Sequence, residues 1–233
     1  MFLHFEVLLR MRDKDNDANA IMPGEFIPVA EKSGKILDID RWVLRRSIKM
    51  LADVSAIPAL AVNVSGRSLD DPTLPQFIAD ELHRQGVPAK RLLVELTETS
   101  AVSDLHDARR FIEALQHTGC GVCLDDFGTG FSSFAYLKHL HVDAIKIDGL
   151  FIRNLANDPD NQLFVKAMVS VARGMHKTII AECVEDEETL QMLAAFGVDH
   201  VQGYHLEKPL ANPPLIETGL ISNLRTMDLP FRR

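Results

Sequence analysis

The stretch RLLVELTE, Arg91 to Glu98, alternates along its length: Glu95 and Thr97 fall on one side, Val94 and Leu96 on the other. That is the signature of a strand, with its acidic residue near the carboxyl end and Glu98 in the loop beyond. The same kind of run recurs in FLHFEVLLRM, PALAVNVS, GVCLDDF, VDAIKID, KTIIAECVE and VDHVQGY. Between most of them lie stretches of helical period. In DRWVLRRSIKML, Trp42, Val43, Ile48 and Leu51 form an apolar stripe. LPQFIADELHRQG stops at Gly86, SDLHDARRFIEALQHTG starts with Ser103 as its cap and stops at Gly119, and EDEETLQMLAAFG stops at Gly197, with NQLFVKAMVSVARGM behaving similarly. Alternating strands and helices over this length predict an α/β fold with a parallel sheet closed into a barrel. Seven strand runs are one short of eight, so a first N-terminal strand is expected to be missing. RDKDNDANA reads as a loop. Residues 1–212 form the expected barrel domain, and residues 213–233 a loosely held tail.

The chain has 233 residues, 46% hydrophobic and 25% charged, the profile of a soluble domain with a sizeable core. A net charge of -8 and no basic stripe exclude a duplex nucleic-acid partner. An acidic protein can still take a phosphate ester if cations sit in its site. No stretch is long and apolar enough to span a membrane, which reads as a cytoplasmic domain; any anchor of a longer protein would lie outside these residues. Cys120 and Cys123 form a C-x-x-C with no further metal set nearby, and are read as a buried structural pair.

Most strand runs end on a polar residue: Glu6, Asn63, Glu95, Asp125 with Asp126, Lys146, Glu182 and Gln202. In a parallel barrel those ends open on one face, where barrel enzymes keep their chemistry. Singly, each has a plain reading, since an acid after a strand is often a helix cap. Together, converging carboxylates repel by several kcal/mol at low effective dielectric. Hard divalent cations with oxygen ligands, Mg²⁺ or Mn²⁺, relieve that repulsion. Consecutive aspartates can each reach a different ion, and paired ions suit in-line displacement at phosphorus. Metal-assisted phosphodiester hydrolysis is the reaction class these residues imply. A Schiff-base aldolase built on Lys146 is disfavoured by the carboxylates around it.

The blocks EVLLR, NVS, ELTE, DDFGTGFSS, KID, AECVE and QGY....KPL, in order from about Phe5 to Leu210, resemble the EAL-domain family of cyclic-di-GMP phosphodiesterases. The resemblance implies a modified eight-stranded barrel with one antiparallel strand, which opens cyclic-di-GMP to linear pGpG with two divalent cations, Mg²⁺ or Mn²⁺. It implies metal ligation by Glu6, Asn63, Glu95, Asp125, Asp126 and Glu182. Glu6, Asp126, Lys146 and Glu182 would then be catalytic, with Lys146 near the attacking water and phosphate. Arg10, Leu8 and Gln202 would meet substrate, Arg10 at a phosphate. Glu98 would anchor the glycine-rich loop of Gly128, Thr129 and Gly130, which couples the site to a dimer partner. Val7 stands where the family has alanine, pointing away from the metals. Cys183 replaces the usual glycine, which predicts pressure on the local backbone.

With every ligand position intact, an active enzyme is the first expectation. The alternative is a weak or inactive domain serving as a cyclic-di-GMP receptor. The family further implies a homodimer, for which FSSFAYLKHLHV is a candidate surface, and fusion to a sensory or diguanylate cyclase domain.

Overall fold

The structure, a computed structural model, describes residues 4–12, 20–130, 134–210 and 227–228. The chain enters through β1 (Phe5–Val7), followed by a short antiparallel pair, β2 (Met11–Arg12) and β3 (Ala20–Ile21). That pair brackets the polar RDKDNDANA segment, whose residues 13–19 lie outside the described residues. Helices α1 (Pro23–Ser33) and α2 (Ile36–Asp53) lead to β4 (Leu60–Asn63). Then follow α3 (Leu74–Gln85), β5 (Leu92–Thr97), α4 (Glu98–Ser103), α5 (Leu105–Thr118) and β6 (Gly121–Phe127). A 3₁₀ turn at Phe134–Lys138 precedes β7 (Ala144–Ile147), α6 (Gly149–Ile152), α7 (Pro159–Gly174) and β8 (Thr178–Ala181). The described chain ends in α8 (Glu187–Phe196), β9 (His200–Val201) and β10 (Met227–Asp228).

All seven expected strands form, and they pair in parallel in the order β1-β4-β5-β6-β7-β8-β9. The eighth place belongs to β10, antiparallel to β9. Two residues are too few to show a period, so this strand is invisible in the tail's sequence. One side-chain contact reports the curl of the sheet: Gln202, just past β9, donates to Glu6 of β1 at 2.6 Å. First and seventh strands can meet only if the sheet wraps around on itself.

Strand alternation divides the core in two. Leu92, Val94 and Leu96 of β5 join the large cluster under the helices, while Leu93 turns inward with Ala61, Cys123, Ala144 and Ile180. That small inner cluster, one side chain from each of five strands, plugs the barrel interior. It also separates the two cysteines. Three positions apart near a strand, they face opposite ways: Cys120 packs outside, Cys123 inside, and both are free and buried.

Two local expectations need correction. Ser103 closes α4, and the cap of α5 is Asp104, whose carboxylate accepts from the Asp107 N–H at 3.0 Å. Trp42 is off the buried stripe of α2 and 56% exposed, because it lies about 100° around the helix from Val43. Asp40 takes a place on that stripe instead. The stops at Gly86, Gly119 and Gly197 are as expected.

Candidate metal centre

The inward positions just above the apolar plug carry the polar residues. Glu6 stands level with Ala61, and Asn63 with Glu95 and Cys123 across the sheet. At the centre is Lys146 of β7, wholly buried. Its Nζ lies 2.6 Å from Glu182 Oε1, 3.3 Å from Glu6 Oε2 and Asp125 Oδ1, and 3.4 Å from Glu95 Oε1. Asn63 donates to the other oxygen of Glu6 at 2.8 Å.

In a regular strand Asp125 and Asp126 would point to opposite faces. Here the β6–β7 register slips between Leu124 and Phe127, and Asp126 takes a left-handed backbone with φ 54°. This bulge re-aims the second aspartate into the mouth. Two sets of carboxylate oxygens result, each mutually within 4.8 Å: Glu6, Glu95 and Asp125, then Asp125, Asp126 and Glu182. Asp125 belongs to both. No local pattern in the sequence announces the bulge.

The charge balance is one-sided, five carboxylates around one ammonium. Burial works to neutralise Lys146, but Glu95, Glu6, Asp125 and Glu182 outweigh it and hold the ammonium well above its ordinary pKa. For Glu6, burial is overcome by Lys146 and the amides of Gln202 and Asn63, so its carboxyl is lowered. The others go up. Burial pushes Glu95 well above the carboxylate range against the pull of Lys146, with Glu6, Asp125 and Glu182 adding to the rise. Asp125 rises for the same first reason. Burial, then Asp125 and Asp148, push Asp126 to about 6, and burial pushes Glu182 to about 7 against Lys146. Neither oxygen of the fully buried Glu95 has a hydrogen-bond donor. A buried carboxylate with an ion pair to Lys146 but no hydrogen bond, in a set of oxygen donors, fits a hard divalent cation.

Beside the centre, Glu98 is buried and accepts from the N–H groups of Gly128 (2.8 Å) and Gly130 (3.4 Å), and from the Tyr136 hydroxyl. Gly128 has φ 102°, and a Cβ there would lie 2.6 Å from the Phe151 ring. Thr129 donates its hydroxyl back to the Asp126 carbonyl at 2.9 Å. Tyr136 went unnoticed in the sequence, for no period marks a tyrosine in a 3₁₀ turn. Residues 131–133 lie outside the described residues. In the rest of FSSFAYLKHLHV, Tyr136, Leu137, Leu140 and Val142 are buried in the core.

A cleft of about 540 Å³ opens over Glu6 and Glu182, lined also by Leu8, Arg10 and Gln202. Arg10 is exposed there, Nη1 donating to the Leu9 carbonyl. Val7 turns away and packs on the outer core. Cys183 keeps the left-handed conformation that glycine would supply, φ 54°. Its sulfur is seated where a side chain at Gly149 would be: a Cβ on Gly149 would lie 2.4 Å from Sγ. Gly149 leaves room for the sulfur, while the expected pressure stays in the left-handed backbone of Cys183 itself. Burial raises the Cys183 thiol, opposed by Arg153, whose Nη2 donates to Sγ at 3.3 Å.

Residues 2–209 match the EAL domain family. A protein of Escherichia coli named cyclic di-GMP phosphodiesterase PdeF is 35% identical over 219 residues, 93% of this chain and 29% of that protein. The bifunctional diguanylate cyclase/cyclic di-GMP phosphodiesterase MucR of Pseudomonas aeruginosa is 35% identical over 91% of this chain and 31% of its own length. The chain thus spans less than a third of these curated relatives. Among solved structures, the MucR phosphodiesterase in complex with c-di-GMP superposes with a TM-score of 0.83 at 34% identity, covering 90% of this chain and 86% of that one. The FimX EAL domain of Pseudomonas aeruginosa bound to c-di-GMP gives 0.82 at 34% identity, covering 88% and 82%.

Proposed function

The chain belongs to the EAL-domain family, and we propose that it is a metal-dependent phosphodiesterase opening cyclic-di-GMP to linear pGpG. The observation that carries this reading is the pair of carboxylate sets sharing Asp125, one of them containing Glu95, whose oxygens accept no hydrogen bond.

Glu6, Asn63, Glu95 and Asp125 would hold one divalent cation, Mg²⁺ or Mn²⁺, and Asp125, Asp126 and Glu182 a second. Such ions, when bound, polarise the phosphoryl oxygens and make water a better nucleophile. The chain's own groups divide the remaining work. Asn63 and Gln202 fix both oxygens of Glu6. Lys146 is held protonated, so it cannot be the base. It serves as a fixed donor that orients the attacking water and offsets charge developing on the phosphoryl group. The proton leaving that water goes to a carboxylate, and Glu182, 2.6 Å from Nζ, is the nearest to Lys146. Arg10, on the cleft wall, binds a phosphate oxygen, Leu8 lies against the base, and the 3′ oxygen leaves. Glu98 holds the loop of Gly128, Thr129 and Gly130 against the site.

The proposal includes a homodimer, a cytoplasmic site of action and neighbouring sensory or cyclase domains. Among the described residues no helix is long and apolar enough to cross a membrane. With the apolar side chains of residues 136–142 spent in the core, Leu150, Leu163 and Phe164, all more than half exposed, would serve as the dimer surface.

The test is incubation of the purified protein with cyclic-di-GMP and Mn²⁺ or Mg²⁺, with products separated by chromatography. Stoichiometric pGpG, abolished by chelator and by Glu6→Gln, is expected. Tight binding without any pGpG would sink the hydrolase reading in favour of a receptor.

A further inference from the structure

A cyclic dinucleotide carries two phosphodiesters, and only one can lie in line with the metal centre. The other enters a cleft lined by Glu6 and Glu182 of the metal centre and by Glu185 and Glu207. It needs a cation of its own. Among the described residues, the permanent cations lining the cleft are Arg10, Arg153 and Lys208. Arg10 already meets a phosphate oxygen in the reading above. Lys208 rests with its ammonium 5.6 Å from the Tyr204 ring, a single point charge on a flexible stem.

Arg153 is different. It follows α6, and its side chain is 64% exposed over the cleft, yet the guanidinium is held at two points. Nη2 donates to Cys183 Sγ at 3.3 Å, and Nε lies 3.8 Å from Glu185 Oε1. A guanidinium has five N–H donors, so these contacts leave a free edge of the fork toward the cleft. Its sulfur anchor follows Glu182 directly in the chain. The guanidinium is therefore tied to the residue next to a carboxylate of the metal centre. Gly149 makes the arrangement possible, because any side chain there would displace the sulfur that Arg153 grips.

We propose that Arg153, aimed by Cys183 and Glu185, binds the non-scissile phosphate and so selects a substrate with two phosphodiesters. This rests on the reading of the cleft as a cyclic-di-GMP site. A forked, prearranged donor suits a phosphate better than a lone lysine does.

The experiment is calorimetric titration of the purified protein, loaded with Ca²⁺, with cyclic-di-GMP and with GpG, a linear dinucleotide holding one phosphodiester. Wild type, Arg153→Ala and Arg153→Lys are compared. Arg153→Ala should weaken cyclic-di-GMP binding by about 10- to 100-fold, the range for a charge-assisted hydrogen bond. GpG binding should change by less than about 2-fold, and Arg153→Lys should recover part of the loss. Equal losses for both ligands, or undiminished cyclic-di-GMP binding by Arg153→Ala, overturn the assignment of Arg153 alone. If the wild type does not bind cyclic-di-GMP, the substrate reading fails and this proposal falls with it.

Discussion

Gly203 lies so close to Val184 that a Cβ added to it would stand 2.2 Å from both the backbone N and O of that residue. The contact is between the turns after β8 and β9, and hydrogen bonds stitch it on either side: Val184 N–H to the Gln202 carbonyl at 3.0 Å, His205 N–H to the Val184 carbonyl at 2.9 Å. It therefore sets where Gln202 and Glu182 stand relative to each other. Gly203→Ala should lose the Gln202–Glu6 bond, lower stability by about 2–4 kcal/mol, and reduce turnover at least tenfold. Thermal melts and steady-state rates read both; a fully active, undestabilised variant would show that the two turns can separate freely.

Among the described residues, Lys146 is the only ammonium within the carboxylate ring. Lys146→Met fills the space and leaves the acids unpaired. In chelator at pH 8 the variant should lose about 3–5 kcal/mol of stability. At pH 5 the deficit should shrink, because Glu182, with a pKa of about 7, and Glu95, raised well above 4.5, then hold protons and no longer need a cation. Urea unfolding at the two pH values makes the comparison. A deficit independent of pH would mean the loss is one of packing.

The same raised groups govern metal binding. With Asp126 at about 6 and Glu182 at about 7, the metal-free protein carries protons that the unfolded chain has already released. Its stability therefore falls as pH rises through the window from about 4 to 7. A bound cation reverses the preference by displacing those protons. Mn²⁺ affinity should rise with pH up to about 7, with proton release on binding. Titrations in buffers of different ionisation enthalpy measure that release, and none at pH 6 would contradict it.

Asp40 is buried in α2, where Oδ2 accepts from the Ser65 N–H at 3.0 Å and the Ser68 hydroxyl at 2.7 Å. Burial raises its pKa to about 6 in spite of these bonds. The folded state thus prefers the protonated form, and ionised Asp40 costs roughly 3 kcal/mol above that pH. Asn can accept the same two hydrogen bonds without charge. Asp40→Asn should stabilise the protein by up to about 2 kcal/mol at pH 8, a few degrees in Tm, with no gain at pH 4. Equal effects at both pH values would show that Asp40 is ionised throughout.

What could be read from the sequence follows from period. The seven parallel strands show as runs of alternating or continuous apolar residues, and their polar ends are predicted to share one mouth because parallel strands end together. Glu6, Asn63, Glu95, Asp125, Lys146, Glu182 and Gln202 are indeed gathered there. Contacts made between distant turns leave no such trace. The bulge that turns Asp126 inward, the Gly203–Val184 approach, the Tyr136–Glu98 bond and the Gly149–Cys183–Arg153 arrangement all depend on where other loops lie. Trp42 and Ser103 differ from expectation for a local reason: an apolar or capping residue one position off its face looks, by type alone, like one on it.

The inner plug of Ala61, Leu93, Cys123, Ala144 and Ile180 also sets an order of events. It closes the barrel below the carboxylates with low-dielectric side chains, so the negative field can leave only upward, through the mouth. An empty mouth of this charge would draw in cations and, in the reading proposed above, turn away a doubly anionic dinucleotide. In that reading, ions would load before nucleotide, and the free metal concentration would act as a gain control on how strongly the protein responds to its substrate.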